Sequence, residues 1–145
     1  MIKAACHCGA VRIAIAEAPT WLLDCNCTLC RRYAVLWSYY LGADHAKLLQ
    51  LPDPSATTTY LWGDKEVAFH FCKTCGCMTH MVAIAREPQT IVGVNAHMML
   101  GLDPAHIRVL QKDNGGTGHF WTKGAGPVVP SGHPAMPAPG PDDWR

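Results

Sequence analysis

Residues 69–80 read "FHFCKTCGCMTH". Cys72 and Cys75 stand three apart, directly after the strand-like "AFHF", and Gly76 follows them. Two cysteines at this spacing with glycine behind them make a metal knuckle. The turn aims both sulfurs at one point and lets backbone N–H groups face the thiolates. Glycine supplies the positive φ that such a turn calls for. The knuckle offers only two ligands, so a closed site needs two more from elsewhere in the chain.

Upstream, "TTTYLW" and "EVAFHF" flank "GDK", which predicts a β-hairpin over Thr57–Phe71. Further out, Val11, Ile13 and Ile15 of "AVRIAIA" share one face of a strand, with Arg12 on the other. "AVLWSYYL", Ala34–Leu41, is apolar and aromatic and suits a buried strand. "HMVAIA", "TIVGVNA" and "HIRVL" predict three more. Helical candidates are short, around Ala43–Gln50 and just after Cys27. Many short strands separated by turn residues predict an all-β domain built from antiparallel strands. From Gly124 to Arg145 the chain holds six of its eleven prolines. That density opposes both ladder and helix, and predicts a disordered tail behind a domain of residues 1–123. The alternative is an extended arm docked through Trp144.

The chain has 145 residues and a formal charge of +1. One domain with a real core is expected, and the charge gives no footprint for nucleic acid. No apolar run reaches membrane-spanning length, and "MIKAACHCGA" has no apolar signal core, so a cytoplasmic protein is expected. Eight cysteines is an unusual number for such a chain. An even count fits disulfides in exported proteins, but here the cysteines sit as close neighbours without an export signal, which favours metal.

The partners for the knuckle are expected from "CHCG", Cys6–Gly9. On an extended segment i and i+2 face one side, so Cys6 and Cys8 point together. Cys6, Cys8, Cys72 and Cys75 would then close a structural four-thiolate zinc site. "DCNCTLCRRY" keeps Cys25, Cys27 and Cys30, followed by Arg31 and Arg32. Three thiolates without an evident fourth partner describe an open metal site. The arginines either favour the thiolate form and bind the carboxylates of a small anionic ligand, or are solvated surface charges. Cys77 either completes this second site or lies buried as a small apolar residue, the side to which its alternation with Cys75 turns it. His80 is either a replacement ligand or a hydrogen-bonded core residue, and His7, His70 and His97 read as the latter.

"CHCGAVRIAI", "CNCTLCRRY" and "FHFCKTCGCMTH" together resemble the glutathione-dependent formaldehyde-activating enzyme family, which also includes centromere protein V. The resemblance runs from about Ala4 to Val109; "NGGTGHFWTKGAG" and the proline-rich tail fall outside it. It implies a β-tent zinc-binding fold. It also implies a structural zinc on Cys6, Cys8, Cys72 and Cys75, and a catalytic zinc on Cys25, Cys27 and Cys30. The implied activity is that of a carbon–sulfur lyase or synthase joining formaldehyde to the glutathione thiol. Arg31, Arg32 and Lys73 are candidates for the glutathione carboxylates, and Trp37, Tyr39 and Tyr40 for the pocket wall. Small-molecule thiol and aldehyde are the expected partners. Two other readings stand beside it: a module that carries or senses a thiol or a metal, and a structural two-zinc interaction domain. A fourth thiolate on the second site would favour the structural one. A four-cysteine iron site is a further rival, which colour would betray.

Overall fold

The computed structural model describes residues 1–61, 63, 65–84, 91–112, 120–122 and 126–128. The molecule is mostly β-strand with little helix, as the turn-punctuated sequence predicts. The strands are β1 (Ile2–Ala5), β2 (Arg12–Ile15), β3 (Trp21–Cys25), β4 (Leu36–Leu41), β5 (Leu48–Gln50), β6 (Thr57–Leu61), β7 (Val67–Cys72), β8 (Met78–Ala83), β9 (Ile91–Asn95), β10 (Arg108–Lys112), β11 (Phe120–Thr122) and β12 (Gly126–Val128). The α-helix α1 is Thr28–Arg32, just after Cys27, and Gly42–Lys47 forms a 3₁₀ turn before β5.

Seven strands form one sheet in the order β10-β3-β4-β9-β8-β7-β6, and β1-β2-β5 form a second. The hairpin over Thr57–Phe71 is present as β6 paired with β7, with Thr57 opposite Cys72. One pairing departs from the antiparallel expectation. β10 lies parallel to β3, with Lys112 opposite Cys25. Parallel neighbours need a long crossover, here most of the domain, so local sequence carries no sign of the pairing.

The small sheet packs on one face of the large one. Ala4, Ile13 and Ile15 from the small sheet join Leu22, Leu36, Tyr40, Val92 and Val94 in one buried cluster. Each of the valine, leucine and isoleucine side chains contributes about 1.5–3 kcal/mol by leaving water. The opposite face of the large sheet carries a second cluster: Cys25, Leu29, Cys30, Val35, Trp37, Phe69, Met78 and Met81. The large sheet is thus buried on both faces. That is why β3, "WLLDC", lacks the alternation that marks a one-sided strand.

Beyond Gly124, Gly126–Val128 pair with Phe120–Thr122, with Pro127 opposite Trp121. This corrects the expectation that no ladder forms in the proline-rich segment. In a two-stranded ribbon every strand is an edge, and a proline can sit where its missing N–H is not required. Residues 124, 125 and 129–145, the rest of the expected tail, lie outside the described residues.

Candidate metal centres

The four-cysteine cluster joins the end of β1 to the β7–β8 turn. The sulfurs of Cys6, Cys8, Cys72 and Cys75 all lie within 4.8 Å of one another. Cys8 Sγ is 3.6 Å from both Cys6 Sγ and Cys72 Sγ. A tetrahedral zinc with bonds of about 2.3 Å sets its sulfurs about 3.8 Å apart, so the spacing fits. Both turns are built alike. Gly9 and Gly76 have φ of 76° and 71°, and their N–H groups donate to the Cys6 and Cys72 carbonyls at 2.9 Å. The Val11 N–H donates to Cys6 Sγ at 3.2 Å. Backbone N–H groups of Cys77 and Cys8 draw the Cys75 thiol down to about 6. N–H donors aimed at sulfur favour thiolate, the form a metal takes.

The second cluster lies on the far face of the large sheet. Cys25 ends β3, Cys27 caps α1, and Cys30 lies within the helix. Their sulfurs also lie within 4.8 Å of one another. Among the described residues no fourth histidine, cysteine or acidic side chain joins them. The Cys30 N–H donates to Cys27 Sγ at 3.4 Å, and the Trp37 indole N–H donates to Cys30 Sγ at 3.2 Å. Hydrogen bonds from the Cys25 and Cys30 thiols, in that order, pull Cys27 down to about 2. Cys25 is pushed up first by Cys27, and Cys30 first by Cys25. Three crowded sulfurs therefore resist carrying a negative charge each. Carrying three would require a cation in their midst, and an all-sulfur donor set suits zinc.

The family model described as glutathione-dependent formaldehyde-activating enzyme matches residues 1–113. The chain belongs to the glutathione-dependent formaldehyde-activating enzyme family. All seven clustered cysteines lie inside the matched residues. A crystal structure of a Rhodobacter sphaeroides protein is similar in fold, with a TM-score of 0.57 and 27% identity over 74% of this chain and 99% of that one.

In this member of the formaldehyde-activating family, the surroundings of the trio differ from the sequence reading in several places. Of the aromatic residues expected to wall a pocket, Trp37 and Tyr39 share the trio's face. Tyr40 lies on the opposite face, inside the inter-sheet core, where its hydroxyl accepts from Ser38 at 3.0 Å. Strand alternation forces that split. Tyr39 is half-buried against Trp21 and Trp37, with ring centroids 6.4 and 6.3 Å away. Burial first, then the charges of Cys30, Cys25 and Cys27, push its phenol up.

Arg31 and Arg32 are exposed at the end of α1. The Arg32 guanidinium donates to the Thr28 carbonyl at 2.8 Å. Lys73 stands on the turn between Cys72 and Cys75, so by position it belongs to the four-cysteine cluster. Cys77 is half-buried and packs against Cys6, Val11 and Cys72 rather than joining the trio. Burial pushes its thiol up. His80 is buried, bonded at Nδ1 to the Thr79 hydroxyl at 2.9 Å and stacked on His70 at 4.1 Å. Among the described residues it belongs to no metal cluster. No described helix is long and apolar enough to cross a membrane.

The Trp37–Cys30 hydrogen bond escaped the sequence reading. Two residues seven apart, on a helix and the strand after it, give no spacing signal for such a contact.

Proposed function

We propose that this family member joins an aldehyde of the formaldehyde type to a glutathione-type thiol, or cleaves the product, at a zinc ion held by Cys25, Cys27 and Cys30. One observation carries the reading: among the described residues, the trio is one ligand short of the closed four-cysteine cluster in the same chain. An incomplete ligand set leaves a coordination position for a substrate. Cys6, Cys8, Cys72 and Cys75 would hold the structural metal.

In the synthetic direction a carbon–sulfur bond forms, the carbonyl π bond breaks, and the thiol proton ends on the former aldehyde oxygen. Cys25, Cys27 and Cys30 would hold the zinc ion, which would supply positive charge to favour an incoming thiol as thiolate and to polarise an aldehyde oxygen. The chain's own part is binding and placement. Trp37 and Tyr39 give the trio an aromatic floor that keeps water from its sheet side. Arg31 and Arg32 follow Cys30 directly and present cations for the two carboxylates of glutathione. Tyr39, held protonated, offers a hydrogen-bond donor on this face. The uncatalysed addition is facile, so the gain expected is mainly proximity.

The test pairs calorimetry with exchange NMR on zinc-loaded protein. Glutathione binds; S-methylglutathione, which keeps the carboxylates but offers no thiolate, binds at least tenfold more weakly. Formaldehyde and glutathione exchange faster with the protein than without it. Equal affinity for both ligands would remove the trio as a sulfur site. Binding without acceleration would leave a carrier in place of an enzyme.

A further inference from the structure

We propose that Trp37 is a positioning residue for the second metal centre, its indole N–H holding the Cys30 sulfur in place and drawing charge from it. The inference rests on the reading that Cys25, Cys27 and Cys30 hold a metal. Trp37 and Cys30 are 1% and 5% exposed, and the Nε1–Sγ distance is 3.2 Å. An indole N–H can only donate, and a neutral thiol is a weak acceptor. The pairing is therefore strong only when the sulfur carries negative charge, as a ligand does.

The ring cannot choose another position. Trp37 lies on β4 opposite Asn95 of β9, two pairs along from Tyr39 and Gly93 and so on the same face as Tyr39. A Cβ at Gly93 would meet Trp37 Cε3 at 3.2 Å, Tyr39 Cε1 at 3.2 Å and Met81 Cγ at 3.0 Å. The bare backbone of β9 thus gives the indole room to lie against the sheet with its N–H aimed at the helix. Tyr39 and Phe69 flank it at 6.3 and 6.5 Å. The other two sulfurs take N–H donors from local backbone: Cys27 from Cys30, and Cys25 from Cys27. Among the described donors, Cys30 alone receives one from a replaceable side chain. Partners behind metal ligands typically tune affinity about 10–100-fold.

The test uses cobalt(II) in place of zinc, because thiolate-to-cobalt charge transfer reports charge on sulfur. Cys30→Ser, which keeps the four-cysteine cluster, supplies the background spectrum. Trp37→Phe removes the N–H. Its second-site band is expected to move to lower energy, and chelator competition to show about tenfold weaker binding. Met81→Ala opens a cavity in the same buried cluster and keeps the N–H, so its band should not move. A second arm avoids cavities altogether. Uniform 7-azatryptophan, with the same shape and a more acidic N–H, should move the band to higher energy in the wild type and not in Trp37→Phe. Two cobalt ions in the wild type with an unmoved band in both arms would overturn this inference alone. A single ion would overturn the trio as a metal site and this inference with it.

Discussion

His80 exposes the cost of a charge in the wrong place. It is 5% exposed, and burial, then the neighbouring His70, holds its pKa down to about 3. His70 is lowered by burial as well. In the unfolded chain both titrate near 6.5. Between pH 6.5 and 3 the unfolded state therefore binds more protons than the folded one, and stability falls as pH falls. The slope from one such group is at most about 1.4 kcal/mol per pH unit. His80→Leu should flatten the acid limb of urea unfolding between pH 6.5 and 4.5, at fixed zinc. Loss of metal from the cysteines acts on both proteins, so the difference isolates the imidazole. Identical slopes would assign the acid sensitivity elsewhere. At this scale the sequence was most readable where chemistry is local. The Cys6/Cys8 and Cys72/Cys75 pairs, with Gly9 and Gly76 behind them, bring their own turn geometry. Tyr40 and Trp37 were less readable, because an aromatic strand residue does not announce which of two buried faces it joins.

The elements around the trio carry a strained joint. Helix α1 ends, and Ala34 takes a φ of 48° to bring the chain back into β4. The Val35 N–H donates to the Cys30 carbonyl at 3.1 Å, closing the turn. A left-handed alanine costs roughly 1–2 kcal/mol relative to an unstrained residue. Glycine relieves this, while its freer unfolded chain offsets about 0.4–1 kcal/mol. Ala34 is exposed, so no packing is lost. Ala34→Gly should therefore raise stability by up to about 1 kcal/mol in urea titration of the metal-loaded protein; a drop would mean that the strain reading is wrong. The helix was foreseen from its place after Cys27, but Ala43–Gln50 divided into a 3₁₀ turn and the strand β5. β3 escaped notice because Leu22 serves one core and Leu23 and Cys25 the other.

Across the whole molecule the two clusters do different mechanical work. The four-cysteine cluster ties the start of the small sheet to the β7–β8 turn of the large one, across 64 residues between Cys8 and Cys72. The trio joins only β3 to the helix beside it. Removing a ligand from the first should loosen both layers, since apparent metal binding energies of about 10–16 kcal/mol in small zinc peptides rival the stability of a domain. Cys72→Ser is expected to lower the melting temperature by ten degrees or more (about 3 kcal/mol or more at this size). Cys30→Ser should keep the fold and lose one metal equivalent. During chelator titration, zinc release in two steps, with only the later one accompanied by loss of the β-sheet circular dichroism signal, is the matching result. Simultaneous release with unfolding would merge the two roles. The all-β class was readable from turn spacing, whereas the order of the sheet was not, because β10 and β3 meet across most of the chain.

That last meeting bears on how the protein is made. A ribosome delivers β3 some eighty residues before β10, its neighbour, and non-local pairings form slowly. Until residues 108–112 emerge, the strand that ends in Cys25 is an open edge, and the Asn26 N–H has yet to find the Lys112 carbonyl that it meets at 3.1 Å. The nascent chain thus carries its knuckle pairs complete by Cys75, while the cradle of the trio waits for the far end of the domain. The large sheet thus gains its outer strand beside β3 only after the four-cysteine cluster has all its sulfurs.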